Sequence, residues 1–204
     1  MQQSNKIMEF LGYKEALNNH LIQDGFECRF NERLDASGDI LALTLKHPTN
    51  SHSIDIFVRP NQTQNGEVGR DFKICYMGFE YDIDHDTIDL EFGHAIRQMY
   101  REIKKVLLGK IVTISYLNNK TNRLDTAEMS FNTPFLEIDA DKIKYTIKEK
   151  QFLETRRCSF NIWSGQELTQ NQKYYFIGIL LTNHPDLRQA HTENLAATYL
   201  ELNN

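Results

Sequence analysis

Residues 86–109, DTIDLEFGHAIRQMYREIKKVLLG, decide the fold. Phe92, Ala95, Ile96, Met99, Ile103, Val106 and Leu107 recur at the three- and four-residue spacing that lines one side of an α-helix. Asp86 or Thr87 supplies an N-cap, Asp89 and Glu91 fall in the first turn, and Arg101, Lys104 and Lys105 stand near the end. That order suits the helix dipole, which favours anions at its start and cations at its finish. Gly109 occupies the place of a left-handed C-terminal cap. The spacing predicts a central helix over about 86–108.

Strand patterns lie on both sides of it. Upstream, Ile7, Phe10, Leu11, Leu17 and Leu21 predict an N-terminal helix over 4–23, capped by Ser4 and stopped by Gly25. Alternation then marks strands at 26–30, 40–45, 54–58 and 71–81, separated by the polar turns His47-Pro-Thr-Asn50 and Asn61–Gly69. Downstream, strands are expected at 111–116 and 124–131 around the polar turn 117–123. Another holds Ile143, Tyr145 and Ile147, with Lys142, Lys144 and Lys148 on its other face, and another Cys158, Phe160 and Ile162. The apolar run YYFIGILL (174–181) reads as a buried strand from its length and its aromatic and β-branched content. Pro185 and Asp186 open a C-terminal helix, about 185–201, with Leu187, Ala190, Leu195 and Tyr199 inward. The expected class is α+β with mostly antiparallel sheets, as one compact unit or as two sub-domains, 1–109 (αββββα) and 110–204 (ββββ(β)α).

The acids before the central helix invite a chemical reading. Asp82, Asp84 and Asp86 match the start of a calcium loop, but Thr87 replaces its sharp-turn glycine and Gly93 its closing glutamate. Glu91 and His94 have the ExxH spacing of a di-iron bundle, without the second ExxH such a site needs. Helix capping accounts for the cluster without a metal. The alternative is an enzyme whose site, metal-dependent or not, is assembled around 82–94 from His85, Glu91, His94 and the neighbouring aspartates. Elsewhere there is no HExxH, GxSxG, SxxK, GxGxxG or GxxxxGK, so no cofactor is expected. Cys28, Cys75 and Cys158 lie far apart and read as isolated buried thiols. The first fifteen residues hold no apolar core of signal-peptide length, and the longest apolar run, Tyr174–Leu181, is too short for a bilayer. The expected location is the cytoplasm.

Charge is uneven. Residues 1–96 carry 8 basic against 16 acidic side chains, and residues 97–160 carry 13 against 8. Lys142, Lys144, Lys148, Lys150, Arg156 and Arg157, with Tyr145, Phe152 and Phe160 among them, form the strongest case for a nucleic-acid-binding segment at 142–157. Glu149 and Glu154 interrupt it, and the chain as a whole is acidic. An acidic protein without a motif for catalysis is best read as a binding protein whose acids oppose a basic partner. A nuclease-like toxin domain has such a surface, so the leading expectation is an inhibitor or immunity protein. Its contact residues would be aromatic anchors among acids: Tyr76, Phe79, Glu80, Tyr81, Asp82, Asp84 and Asp86.

Overall fold

The computed structural model describes residues 2–34, 41–62, 68–83, 92–118, 123–139, 147–156 and 158–189. Helix α1 (Gln2–Gln23) ends at Gly25, whose φ is +79°. There the Phe26 N–H donates to Leu21 O (2.9 Å) and the Gly25 N–H to Ile22 O (3.0 Å). Crossed bonds of this kind satisfy the last carbonyls of the helix and turn the chain back. Five strands follow, β1 (Phe30–Leu34), β2 (Leu41–Lys46), β3 (Ser53–Gln62), β4 (Val68–Tyr76) and β5 (Phe79–Ile83). They pair in chain order, every neighbour antiparallel.

Helix α2 (Phe92–Leu107) carries the apolar stripe read from sequence, and Ala95, Ile96, Met99, Ile103, Val106 and Leu107 are buried on it. It stops as α1 does. Gly109 has φ +64°, with the Lys110 N–H donating to Lys105 O (2.8 Å) and the Gly109 N–H to Val106 O (2.9 Å). The expected first turn, with Asp86, Thr87, Asp89 and Glu91, lies outside the described residues. A second sheet follows, with β6 (Ile111–Asn118) between β7 (Arg123–Ser130) and β8 (Cys158–Ile162), again antiparallel. Helix α3 (Ile147–Thr155) precedes β8, α4 (Gln170–Asn183) follows it, and residues 185–189 begin the expected C-terminal helix.

Four expectations are corrected. YYFIGILL is helical and lies within α4. Thr169 caps that helix reciprocally with Gln172, accepting from its main-chain N–H (3.3 Å) while the Thr169 N–H donates to Gln172 Oε1 (2.9 Å). The capping box starts the helix before the apolar run, and Tyr174, Ile177 and Leu181 then share its buried side with Phe176 and Leu180. Ile147, expected in a strand, opens α3, while the other members of that expected strand lie outside the described residues. The strand expected at 26–30 begins only at Phe30, whose N–H donates to Asn18 Oδ1 on α1 (2.8 Å). The long strand expected at 71–81 is a hairpin, folded at Met77 (φ 48°) and Gly78 (φ 85°). Two consecutive positive φ values give a turn whose twist matches that of the flanking strands.

Two hydrophobic clusters hold the elements together. In the first, Tyr13, Leu17 and Leu21 of α1 and the stripe of α2 cover one face of the five-stranded sheet, against Leu43, Leu45, Ile54, Ile56, Val58, Phe72, Ile74 and Tyr76. Ile111 and Trp163, from the chain of the second sheet, also belong to it. In the second, Phe135, Phe152, Phe176, Ile177 and Leu180 pack on Val112, Ile114, Ala127 and Met129. Alternate residues of β6 and β7 point the other way. Thr113, Ser115, Thr126 and Glu128 form a polar layer on the face away from α3 and α4, where the Ser115 and Thr126 hydroxyls lie 3.3 Å apart.

Candidate interaction surface

The hairpin sorts the residues expected to bind a partner. Its register sets Tyr76 opposite Phe79, Cys75 opposite Glu80, Ile74 opposite Tyr81 and Lys73 opposite Asp82. Residues opposite one another share a face, so Tyr76 and Tyr81 lie on the helix-covered face and Glu80 and Asp82 on the other. Among the described residues, the Tyr76 and Tyr81 rings are therefore on the opposite face from Glu80 and Asp82. Tyr76 is 2% exposed and fills the first cluster, with its ring centroid 6.3 Å from that of Trp163. Tyr81 is 41% exposed, at the rim of the sheet. Phe79 has a place in the register but no described side-chain environment, and Asp84 and Asp86 lie outside the described residues.

The face opposite α1 and α2 has a regular pattern. Ala42, Phe57, Lys73 and Asp82 form one row across four strands, and Thr44, Asp55, Cys75 and Glu80 form the next. Phe57 and Cys75 are half-buried, while the Glu80 and Asp82 side chains are 59% and 66% exposed. Lys73 sits between the two acids, 2.6 Å from Glu80 and 3.7 Å from Asp82, and its ammonium is held above its ordinary range chiefly by the bond to Glu80. Asp55 accepts from the Thr44 hydroxyl (2.6 Å). The acids at the β5 edge outnumber their cation, leaving one negative charge beside Phe57 and Cys75, which Lys73 and Asp55 flank.

Acids elsewhere in the first half have local partners. Glu32 pairs with Lys14. Asp24 binds Lys104 Nζ (2.7 Å) and accepts from Tyr100 Oη (2.5 Å), which pull its carboxyl below the ordinary range. These contacts tie helix ends and strands together and reduce the charge offered to a partner.

The other candidate sites fare differently. His94 stands 3.0 Å from the Gln98 side-chain nitrogen on α2, while His85 and Glu91 lie outside the described residues. Among the described residues no three His, Cys, Asp or Glu side chains converge as metal ligands, and no helix is long and apolar enough to cross a membrane. In the basic segment, Arg156 and Phe152 are core residues. The Arg156 guanidinium carbon lies 4.7 Å from the Phe152 ring centroid, and its Nη1 donates to Leu117 O (3.1 Å). Lys148 and Lys150 are on α3, where Lys150 approaches Glu154 (4.0 Å), and Tyr145, Lys142, Lys144 and Arg157 lie outside the described residues.

A cleft of about 540 Å³, which no sequence motif announces, lies between His52, β8 and the start of α4. Cys158, Phe160, Ile162 and Leu168 line it, and Glu167 and Lys173 face each other there at 4.0 Å. It is large enough for a small ligand. Burial pushes the Cys158 thiol up to about 11, so this cysteine is held as thiol. No protein-family model, curated protein or solved structure matches the chain.

Proposed function

We propose that this chain is a non-enzymatic binding protein of the cytoplasm, an inhibitor that covers the basic nucleic-acid groove of a toxin domain with the open face of its five-stranded sheet. The supporting observation is that half-buried Phe57 and Cys75, set diagonally with Asp55 and Lys73 between them, stand beside exposed Glu80 and Asp82 on the face that α1 and α2 leave uncovered. A half-buried apolar centre with a charged rim is the composition of a protein interface, in which the rim steers encounter and the centre supplies affinity. Tyr81 extends the surface around the sheet edge.

The test is capture of a basic partner from the native host, followed by affinity measurement with the purified pair. Reversing the rim with Glu80→Lys and Asp82→Lys should weaken binding about tenfold or more and flatten its salt dependence, because surface charge acts mainly on association. Phe57→Ala should weaken it at every salt concentration. Unchanged affinity in both variants would remove this face from the interface, and a partner without a basic surface would remove the inhibitor reading.

A further inference from the structure

The two sheets meet across a layer that holds an acid pair. Glu102 of α2 is 8% exposed, and its oxygens accept from Arg101 Nε (3.0 Å) and Lys105 Nζ (2.6 Å). Glu128 of β7 enters the layer from the other sheet, with Thr113, fully buried, as its cross-strand neighbour on β6. Thr113 in turn accepts from Asn161 Nδ2 of β8 (3.4 Å). Between the two glutamates lies a small, partly open cavity of about 20 Å³, lined also by Ile74 and Tyr76 of β4, Tyr81 of β5, Val106 of α2 and Ile111 of β6. That volume admits one water molecule. The Tyr76 hydroxyl, buried in the first cluster, has no hydrogen-bond partner among the described residues, and Tyr76 lines the same cavity. Glu102, buried, Glu128, half-buried, and Tyr76 thus line one small space between the two sheets.

We infer that Glu128 is a proton-operated latch between the two sheets: protonated, it closes the polar layer, and ionised, it loosens it. A protonated carboxyl donates one hydrogen bond and accepts others, so it can satisfy an acceptor in this cavity, directly or through the water. The ionised form only accepts, and it faces the Glu102 carboxylate across a poorly screened gap. Lys105 is the cation that opposes this repulsion, Arg101 acts only through Glu102, and Tyr76 and Tyr81 contribute neutral hydroxyls from β4 and β5. Burial, with Glu102 adding to it, raises the Glu128 carboxyl from 4.5 to about 7. The folded form therefore holds the proton more tightly than the unfolded chain. This linkage favours folding fully below pH 4.5 and is lost as pH rises through about 7.

A carbon-13 titration of the glutamate carboxyls in the full chain, with Glu128 assigned by its loss in Glu128→Gln, tests the inference together with amide-exchange protection at pH 5.5 and 8.5. A Glu128 midpoint near 7 is expected, with protection in β6, β7 and α2 falling several-fold at the higher pH in the wild type and staying high in Glu128→Gln. Glu102→Gln should move the midpoint down by removing the facing charge. A midpoint in the ordinary carboxylate range, or equal loss of protection in wild type and Glu128→Gln, would overturn the latch. Should Glu128→Gln fail to fold, through-bond assignment of the Glu128 carboxyl from its own backbone resonances lets the wild-type and Glu102→Gln titrations decide it.

Discussion

The Asn50 side chain donates from Nδ2 to the main-chain carbonyl of Trp163 (3.1 Å), joining the β2–β3 turn to the segment between β8 and α4 across 113 positions of sequence. Gly165 makes the approach feasible. Its φ is +68°, and a Cβ there would sit 2.5 Å from Asn50 Nδ2. Gly165→Ala combines backbone strain with a displaced hydrogen bond and should cost about 1–3 kcal/mol. Urea titration would show the midpoint moving down. Gly25→Ala provides the contrast, because it meets open space and carries only the strain of its positive φ.

Arg156 should prove structural. Truncation to Ala removes packing on Phe152 and leaves Leu117 O without its donor, for a loss of about 2–4 kcal/mol. Replacement by Met keeps most of the contact area and removes a cation whose charge burial already disfavours, so it should cost less. Chemical denaturation of the two variants orders them. Neither should change retention on heparin, whereas a fall in retention with Arg156→Met would bring the nucleic-acid reading back.

The Asp24–Lys104–Tyr100 contact sets an acid-range dependence. Lys104 and then Tyr100 depress the Asp24 carboxyl, so its contribution is present above the unfolded pKa and disappears as pH falls through the lower, folded one. Asp24→Asn should melt below the wild type at pH 7, and the difference should shrink in acid below the ordinary aspartate range. Thermal melting across that range gives the answer. A constant difference would show that the contact acts through shape and not charge.

Cys158 should react slowly with iodoacetamide. With its thiol held near 11, its thiolate fraction at pH 8 is about a hundredfold below that of an ordinary cysteine, and urea should restore the rate. Mass spectrometry of alkylated peptides measures it residue by residue. Fast labelling of the native chain would mean that the cleft wall opens.

The central helix was legible because its evidence is local: a stripe from Phe92 to Leu107 and a glycine where the chain must turn left-handed. The hairpin was missed for an equally physical reason. Counting alternation from Tyr76 through Asp82 as one strand puts Tyr76 on the side of Glu80, but a two-residue turn reverses the count and puts it with Tyr81. Gly78 carried the signal, while Met77 at positive φ hid it. In α4, the Thr169–Gln172 capping box was readable and outweighs the strand-like composition of YYFIGILL. The acid pair was half legible. Glu102 falls three residues after Met99 and four before Val106, inside the apolar stripe, whereas Glu128 occupies an ordinary polar position on an alternating strand. Only the meeting of two sheets gives Glu128 its environment.

The strand orders imply a sequence of events in folding. Every pairing in the five-stranded sheet joins neighbours in the chain, so each step closes a short loop at small entropic cost. The three-stranded sheet is different, because β8 must return past α3 to reach β6, bringing Ile162 against Val112. Long-range closure of this kind slows assembly. During synthesis the first sheet and the β6–β7 pair, which carries Thr113 and Glu128, can form while β8 is still to come. Acquisition of β8 is thus the expected late step, and the interval before it is when the apolar side of β6 is most open to misassociation.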